Sequence, residues 1–198
     1  MHMSAHKLER KDLMSLEEYA QKRGEIRQQI IAHKRERTLH IGPNLTLLFE
    51  DRETMRYQVQ EMLRAERIFE AAGIQDELDA YNPLIPDGSN WKATLLIEFG
   101  EVEERREALA KLIGIEDRVW LQVRGQPQVF PIADEDLERE TAEKTSSVHF
   151  LRFELTSDMV KALKAGAALD AGADHPQYRH SVRPVPDTLR TSLVADLA

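Results

Sequence analysis

The sequence predicts an α+β protein with a mainly antiparallel sheet. Three observations indicate this class: short segments alternate apolar and polar residues, segments of helical periodicity separate them, and 41% of the 198 residues are hydrophobic. A chain of this length can bury a core of its own. We therefore expect a folded, soluble protein.

Charge and composition exclude several functional classes. The formal net charge is −8, and an acidic surface repels the phosphate backbone that supplies most non-specific nucleic-acid affinity, so no nucleic-acid partner is expected. Cysteine is absent, which excludes disulfides, thiol nucleophiles and cysteine-ligated clusters. No apolar run approaches the roughly 20 residues of a membrane helix, and the N-terminus lacks a signal-peptide core. A cytoplasmic protein without a membrane partner is the expectation.

Residues 12–81 are predicted to form a helical half that also contains a β-hairpin. Ser15 and Glu18 have the spacing of a capping box, which begins a helix over about 16–36. The turn residues Gly42-Pro43-Asn44 separate two short alternating segments, a pattern typical of a hairpin.

A second helix is predicted from about residue 52 to residue 71, with Asp51 as its N-cap and Gly73 beyond its end. Arg52, Arg56 and Arg64 recur along it at helical spacing.

This arginine row could bind a small anionic ligand through forked hydrogen bonds, with Glu61 on the same helix as a candidate acid or base. The charges have a second explanation. Glu53 with Arg56 and Glu61 with Arg64 are i,i+3 ion pairs, which account for a solvated helix face without any ligand.

Residues 91–174 are predicted to form the sheet half, one compact unit with the helical half. Alternation is clear from Trp91 to Phe99, and Gly125-Gln126-Pro127 predicts a hairpin turn. Pro131 indicates that the second strand of this hairpin lies at a sheet edge. With a short polar helix over 134–145, the order becomes βαββαβ, which a ferredoxin-like fold would also have.

The segment YNPLIPDGSNW, residues 81–91, joins the two halves. Pro86-Asp87-Gly88 predicts a tight turn, and Asp87 and Asn90 are candidate ligand-binding residues if the loop lines a site. A structural connection between the halves is the alternative interpretation. Residues 175–198, which contain several prolines, are predicted to be a C-terminal arm.

Histidines supply the remaining candidates. His149 lies on the apolar face of a predicted strand, where it is either a general base or ligand, or a buried core residue. His175 and His180 lie near Asp174 and Tyr178 and form a weak alternative for a metal or proton-transfer site, although their spacing is not that of a helical metal pair. No cofactor is predicted.

Several segments resemble an uncharacterised bacterial family catalogued as a domain of unknown function, DUF3501. The resemblance runs from about Leu13 to Tyr178 and is carried by LMSLEEYAQKR, LLFEDRETMRYQVQEMLRAERIFE, ELDAYNPLIPDGSNWKATLLIEF, LIGIEDRVW, ADEDLERETAEKTSSVHFLRFEL and ADHPQY. It implies genomic neighbours, because such proteins are often encoded beside rubrerythrin and a heterodisulfide-reductase-like iron–sulfur protein. It implies no catalytic residues.

Two functions are compatible with these observations. The first is a non-catalytic accessory or binding protein of a cytosolic redox or peroxide-stress module, with those neighbours as partners and self-association as a further expectation. The second is an enzyme or sensor of a small anionic ligand that uses the arginine row with Glu61 or His149. No glycine-rich phosphate loop, serine-centred elbow or metalloprotease helix is present, so no reaction is predicted.

Overall fold

The fold is α+β, as the sequence predicts, over residues 7–198, which the computed structural model describes. In this range the helices are α1 (Leu16–Arg35), α2 (Arg52–Ala65), α3 (Ala71–Tyr81), α4 (Val102–Lys111), α5 (Ser157–Lys164) and α6 (Asp187–Ala195). The strands are β1 (Thr38–Ile41), β2 (Leu45–Glu50), β3 (Asn90–Ile97), β4 (Val119–Val123), β5 (Gln128–Val129), β6 (Ile132–Ala133), β7 (Val148–Glu154), β8 (Leu169–His175) and β9 (Tyr178–Val182). Among these elements, no helix combines the length and the apolar character that a bilayer crossing demands.

The strands form two antiparallel sheets. The first has the order β1-β2-β3-β7-β6, and the second has the order β5-β4-β8-β9. The ferredoxin-like alternative is therefore wrong, because β4 pairs with β8 in a separate sheet instead of joining β3 and β7 in one. Both short strands that flank Pro131 lie at sheet edges, which confirms the prediction made from that proline.

Apolar side chains from both sheets share one core. Trp91, Leu95 and Leu151 from the first sheet and Leu121 from the second are buried there, as the alternation in these strands predicts. The Trp91 indole Nε1 donates a hydrogen bond of 2.9 Å to the carbonyl oxygen of Leu193 in α6. The buried Trp thus ties the first sheet to the C-terminal helix.

A second, smaller core lies in the helical half. Met55, Val59 and Leu63 of α2 pack with Leu78 of α3 and with Ile85 of the connecting loop. The hairpin β1–β2 does not belong to this core, since β2 pairs along its whole length with β3. The hairpin therefore extends the first sheet.

The predicted second helix ends early, at Ala65, and a separate helix, α3, begins at Ala71, where the predicted helix was expected to end. Arg67 adopts a left-handed φ of 53° just after α2, and the amide of Ile68 donates to the carbonyl oxygen of Leu63 at 2.8 Å. This is the Schellman pattern that ends a helix, with Arg67 in the position that glycine usually takes. Gly73 lies inside α3 instead of ending α2.

The predicted helix over 134–145 is absent. Asp134 has a φ of 50°, which is incompatible with a helix start, and Arg139 instead holds the segment as a loop through bonds of 2.5 and 2.7 Å to Asp136. Leu137 is 56% exposed. A helix here would have had almost no apolar side chains to bury, so specific polar contacts decide the conformation.

Residues 175–198, predicted as an arm, are part of the folded unit. They contain β9, which pairs with β8, and α6. Leu189, Leu193 and Leu197 recur every four residues and are all buried in the main core. These leucines follow the prolines that suggested an extended tail, and their helical spacing indicates a helix with one apolar face.

Candidate functional site

The arginines of the predicted anion row occupy different surroundings along α2. Arg52 Nη2 lies 2.8 Å from Asp12 Oδ2, and Arg56 Nη2 lies 2.7 Å from Glu53 Oε2. Arg64 is exposed in the last turn. Arg56 also lines a pocket of about 200 Å³ between α1 and α2, whose lining does not include the other two arginines.

Glu61 joins α1 to α2. Its carboxylate accepts two hydrogen bonds of 2.8 Å from Arg23 and one of 2.6 Å from the Tyr19 hydroxyl. The hydrogen bond from Arg23 lowers the pKa of Glu61 to about 2, and burial opposes this shift only in part. Near neutral pH this group is an ionised cross-link between helices, with its oxygens occupied.

Asp87 and Asn90 close the predicted turn. Asp87 Oδ1 accepts hydrogen bonds from the amide (2.9 Å) and hydroxyl (2.8 Å) of Ser89, and the Asp87 amide donates to Asn90 Oδ1 at 3.1 Å. Asn90 Nδ2 in turn donates to Glu154 Oε1 at 2.9 Å. Local bonds therefore explain both candidates, with Gly88 at a φ of 99° between them.

The other end of the same loop lines a cleft of about 550 Å³ beside the outer face of the first sheet. Lys92 Nζ donates to the Pro83 carbonyl oxygen there, and burial lowers the pKa of Lys92. Arg152 forms a two-pronged pair with Glu135, at 2.7 and 2.8 Å. Both cations of the cleft are thus engaged by the protein itself.

His175 and His180 do not form a metal pair. His175 Nε2 lies 2.9 Å from the Ile113 carbonyl oxygen, and its Nδ1 accepts from the Gln177 amide at 3.2 Å, so both ring nitrogens are occupied. His180 packs against the ring of Tyr178, with centroids 4.6 Å apart.

Within residues 7–198, His, Asp and Glu side chains cluster with metal-ligand spacing at one place, where Glu116, Asp134 and His149 place one ligand atom each within 4.8 Å of one another. His149 on β7 is fully buried, and its Nδ1 lies 2.6 Å from Asp134 Oδ2. Asp134 Oδ1 accepts a hydrogen bond of 2.9 Å from the Phe150 amide, and Arg139 Nη1 lies 3.3 Å from it.

The second nitrogen of the ring faces oxygen atoms. His149 Nε2 lies 2.9 Å from Thr145 Oγ1, 3.1 Å from the Ser146 carbonyl oxygen and 3.9 Å from Glu116 Oε2. Glu116 is only 7% exposed, and its Oε2 has no hydrogen-bond partner among the described residues. Burial raises the pKa of this carboxyl group. An imidazole between two carboxyl groups can hold a proton or a cation at this point.

Sequence reasoning identified one member of this cluster. His149 stands out as a lone polar residue on the apolar face of a strand. Glu116 and Asp134 were missed, since each lies in a stretch rich in acidic residues where nothing marks one carboxylate as buried. The available signal was the position of Asp134, directly after the short apolar segment that forms β6.

A second feature is an exposed apolar surface at the free edge of the first sheet, which we call the β6 edge and define by Phe130, Ile132 and Leu137. These side chains are 46%, 46% and 56% exposed. β6 pairs with β7 on one side and is the last strand of its sheet. Glu135 and Asp136, which follow β6, also line the 550 Å³ cleft, so cleft and edge adjoin.

Comparison with known proteins identifies relatives without an assigned activity. The family model described as "Protein of unknown function (DUF3501)" matches residues 7–197. A crystal structure of a novel protein of unknown function from Burkholderia pseudomallei K96243 is 54% identical in sequence, with a TM-score of 0.92. The match covers 98% of this chain and 100% of that one. No curated protein matches the chain.

Proposed function

The chain belongs to the DUF3501 family, and from this premise we propose that it is a non-catalytic accessory protein of a cytosolic redox or peroxide-stress module that acts through protein–protein contacts. The β6 edge is the observation that carries this proposal. The partners we propose are the redox proteins that the family resemblance implies, rubrerythrin and the heterodisulfide-reductase-like iron–sulfur protein.

The β6 edge has the physical character of a binding surface. A terminal strand presents unpaired backbone amides and carbonyls to any extended segment that can add to the sheet. Three large, exposed apolar side chains lie within eight residues of sequence at this strand, and grouped exposed apolar residues mark interaction surfaces more often than isolated ones do. The adjoining cleft offers room for partner side chains.

Charge specifies the chemistry of the partner. The segment that follows β6, residues 134–143, contains six Asp or Glu residues and one Arg. Glu135 and Asp136 are paired with arginines of the protein, whereas Glu138 and Glu143 are exposed. A partner segment with apolar side chains flanked by Lys or Arg would complement this surface and gain association rate from long-range attraction.

The test measures binding of the purified chain to each neighbour protein by calorimetry at low and physiological salt. We expect binding to one of them that weakens as salt increases, and a loss of at least about tenfold in the double variant Ile132→Glu, Leu137→Glu. Phe69→Glu is the matched control, because Phe69 is 70% exposed but lies in the α2–α3 connection.

Two outcomes count against the proposal. One is a wild-type chain that binds neither neighbour, and the other is equal binding by the edge variant and the Phe69 control. Native mass spectrometry of the same proteins reports self-association. If the edge variant dissociates a homo-oligomer, the surface joins copies of this chain and the redox-partner assignment is lost.

The pocket between α1 and α2 favours a second candidate, a sensor or enzyme for a small anionic ligand. Arg56, His33 and Gln60 line it together with Asp12 and Glu53. A guanidinium beside an imidazole and an amide is suited to a carboxylate or phosphate, which would have to replace Glu53 as the partner of Arg56. A thermal-shift series with phosphate, sulfate and small carboxylates tests it. Stabilisation by one anion that disappears in Arg56→Ala but persists in Arg106→Ala, an exposed arginine on α4, supports this function, and no stabilisation rejects it.

A further inference from the structure

The contacts of the His149 ring leave an electrostatic conflict in the buried cluster. Asp134 accepts hydrogen bonds from the Phe150 amide and pairs with Arg139, so its carboxylate is an acceptor, and Nδ1 of His149 must carry the hydrogen between them. In the neutral ring Nε2 then presents a lone pair. The Thr145 hydroxyl can donate to it at 2.9 Å.

When Glu116 is ionised, the remaining oxygens around Nε2 are all acceptors. The Ser146 carbonyl at 3.1 Å is a pure acceptor, and Glu116 Oε2 at 3.9 Å is beyond hydrogen-bond distance. Glu116 Oε2 is buried and has no hydrogen-bond partner among the described residues, which costs free energy. A cation at this point, either a second proton on the His149 ring or a metal ion, would offset the Glu116 charge and remove the contact between two acceptors at the Ser146 carbonyl.

The geometry points to a divalent transition-metal ion bound between Glu116 Oε2 and His149 Nε2. One imidazole with carboxylate, hydroxyl and carbonyl oxygens is a donor set that suits Zn²⁺, Mn²⁺ or Fe²⁺ better than Mg²⁺ or Ca²⁺, which favour oxygen alone. This site adjoins the β6 edge, because Asp134 directly follows β6, but metal binding goes beyond the proposed accessory function.

The distances accommodate such an ion. Zinc binds nitrogen and carboxylate oxygen at about 2.0–2.2 Å, so neighbouring ligands in tetrahedral geometry lie about 3.4 Å apart. The observed separation of 3.9 Å is slightly wider, and a small movement of the Glu116 side chain would close it. Thr145 Oγ1 and the Ser146 carbonyl lie on the same side of the ring as the gap. They would supply further oxygen ligands after small adjustments.

Asp134 acts as a positioning residue for this site. Its carboxylate receives the Nδ1 hydrogen of His149 at 2.6 Å, the arrangement in which an outer carboxylate fixes the tautomer and orientation of a metal-ligating histidine. The Phe150 amide and Arg139 hold Asp134 in turn. Asp134 has a left-handed φ of 50°, and in this backbone conformation its side chain reaches His149.

The experiment titrates metal-free, untagged full-length protein with Co²⁺ and then with Zn²⁺, using visible absorption and calorimetry. We expect one equivalent of Co²⁺ with ligand-field bands, displacement by Zn²⁺, and a rise in melting temperature on binding. Glu116→Gln should weaken binding by at least about tenfold, and Asp134→Asn by about 10- to 100-fold.

Glu50→Gln is a matched control. Glu50 is 6% exposed and also has a buried, unpartnered Oε2, but it lies outside the cluster of ligand atoms. It should bind the metal as the wild type does. The near-isosteric Gln removes a buried charge, so folding of each variant is checked by circular dichroism without metal.

The inference is overturned if the wild-type chain binds no stoichiometric metal, or if Glu116→Gln and Glu50→Gln bind equally well. The wild-type stoichiometry does not depend on any variant, so the first result stands even where a substitution prevents folding.

Discussion

Arg37 and Asp196 form a buried ion pair that links the α1–β1 connection to the residue after α6, with Arg37 Nη2 2.5 Å from Asp196 Oδ2. The Arg37 side chain is 2% exposed and that of Asp196 16%. Arg37 also donates to the carbonyl oxygens of Phe49 and Glu50. One guanidinium thus connects the first helix, the first sheet and the C-terminal helix.

Asp196→Ala should destabilise the protein by about 3 kcal/mol, because it leaves a buried guanidinium with an incomplete set of partners. Urea unfolding followed by tryptophan fluorescence measures the change. Arg106→Ala is the control, since Arg106 pairs with Glu103 at the surface, with side chains 74% and 72% exposed, and should cost no more than about 0.5 kcal/mol. Equal losses in the two variants would contradict the prediction.

The pair between His33 and Asp51 should make stability depend on pH. His33 Nε2 lies 2.6 Å from Asp51 Oδ2, and the hydrogen bond to Asp51 raises the pKa of His33, with Glu53 adding to the shift and Arg37 opposing it. Stabilisation by a raised pKa is complete below the unfolded value of about 6.5 and is lost as pH rises through the higher folded value.

The measurement compares the free energy of unfolding of the wild type and of His33→Gln between pH 5.5 and 9. The difference should be largest at the acidic end and shrink as pH rises. A difference that stays constant over this range would show that His33 contributes through packing alone.

Gly42→Ala and Gly24→Ala should have opposite effects. Gly42 has a φ of +69° in the β1–β2 turn, and a Cβ there would lie 2.5 Å from His180 Cγ and 2.6 Å from Tyr178 Oη. We expect a loss of about 2 kcal/mol from the strained backbone and the clash. Gly24 lies within α1 with nothing within 4 Å of an added Cβ, so alanine should stabilise by about 0.5–1 kcal/mol. Thermal unfolding of both variants measures the two changes in stability. Changes of the same sign would contradict the prediction.

Leu193→Ala should destabilise the protein by about 3 kcal/mol, because Leu193 is fully buried in the main core. Near-ultraviolet circular dichroism should also report a changed environment for Trp91, whose indole donates to the Leu193 carbonyl oxygen. Leu137→Ala is the control, since that side chain is 56% exposed and should change stability by no more than about 0.5 kcal/mol. If Leu193→Ala costs no more than this control, the C-terminal segment does not contribute to the core.

Helix caps, turns and strand alternation could be predicted from the sequence. The Ser15 hydroxyl accepts from the Glu18 amide at 3.2 Å and begins α1 where predicted, and alternation placed Trp91 and Leu95 on the buried face of β3. Caps, turns and alternation depend on residues a few positions apart, so a linear pattern contains them. The end of α2 was misplaced, because Arg67 occupies a left-handed position that sequence reasoning expects of glycine.

The sequence by itself determined the α+β class and most strands of the first sheet, whereas β8 and β9 of the second sheet were not predicted. Only the tertiary structure decided that residues 134–145 form a loop, that α6 completes the core and that Glu116, Asp134 and His149 meet. Asp134 reaches His149 because β6 pairs with β7, and Glu116 reaches them from the turn before β4. Such meetings depend on strand pairing between distant segments, and neither periodicity nor composition encodes which carboxylate is buried beside which ring.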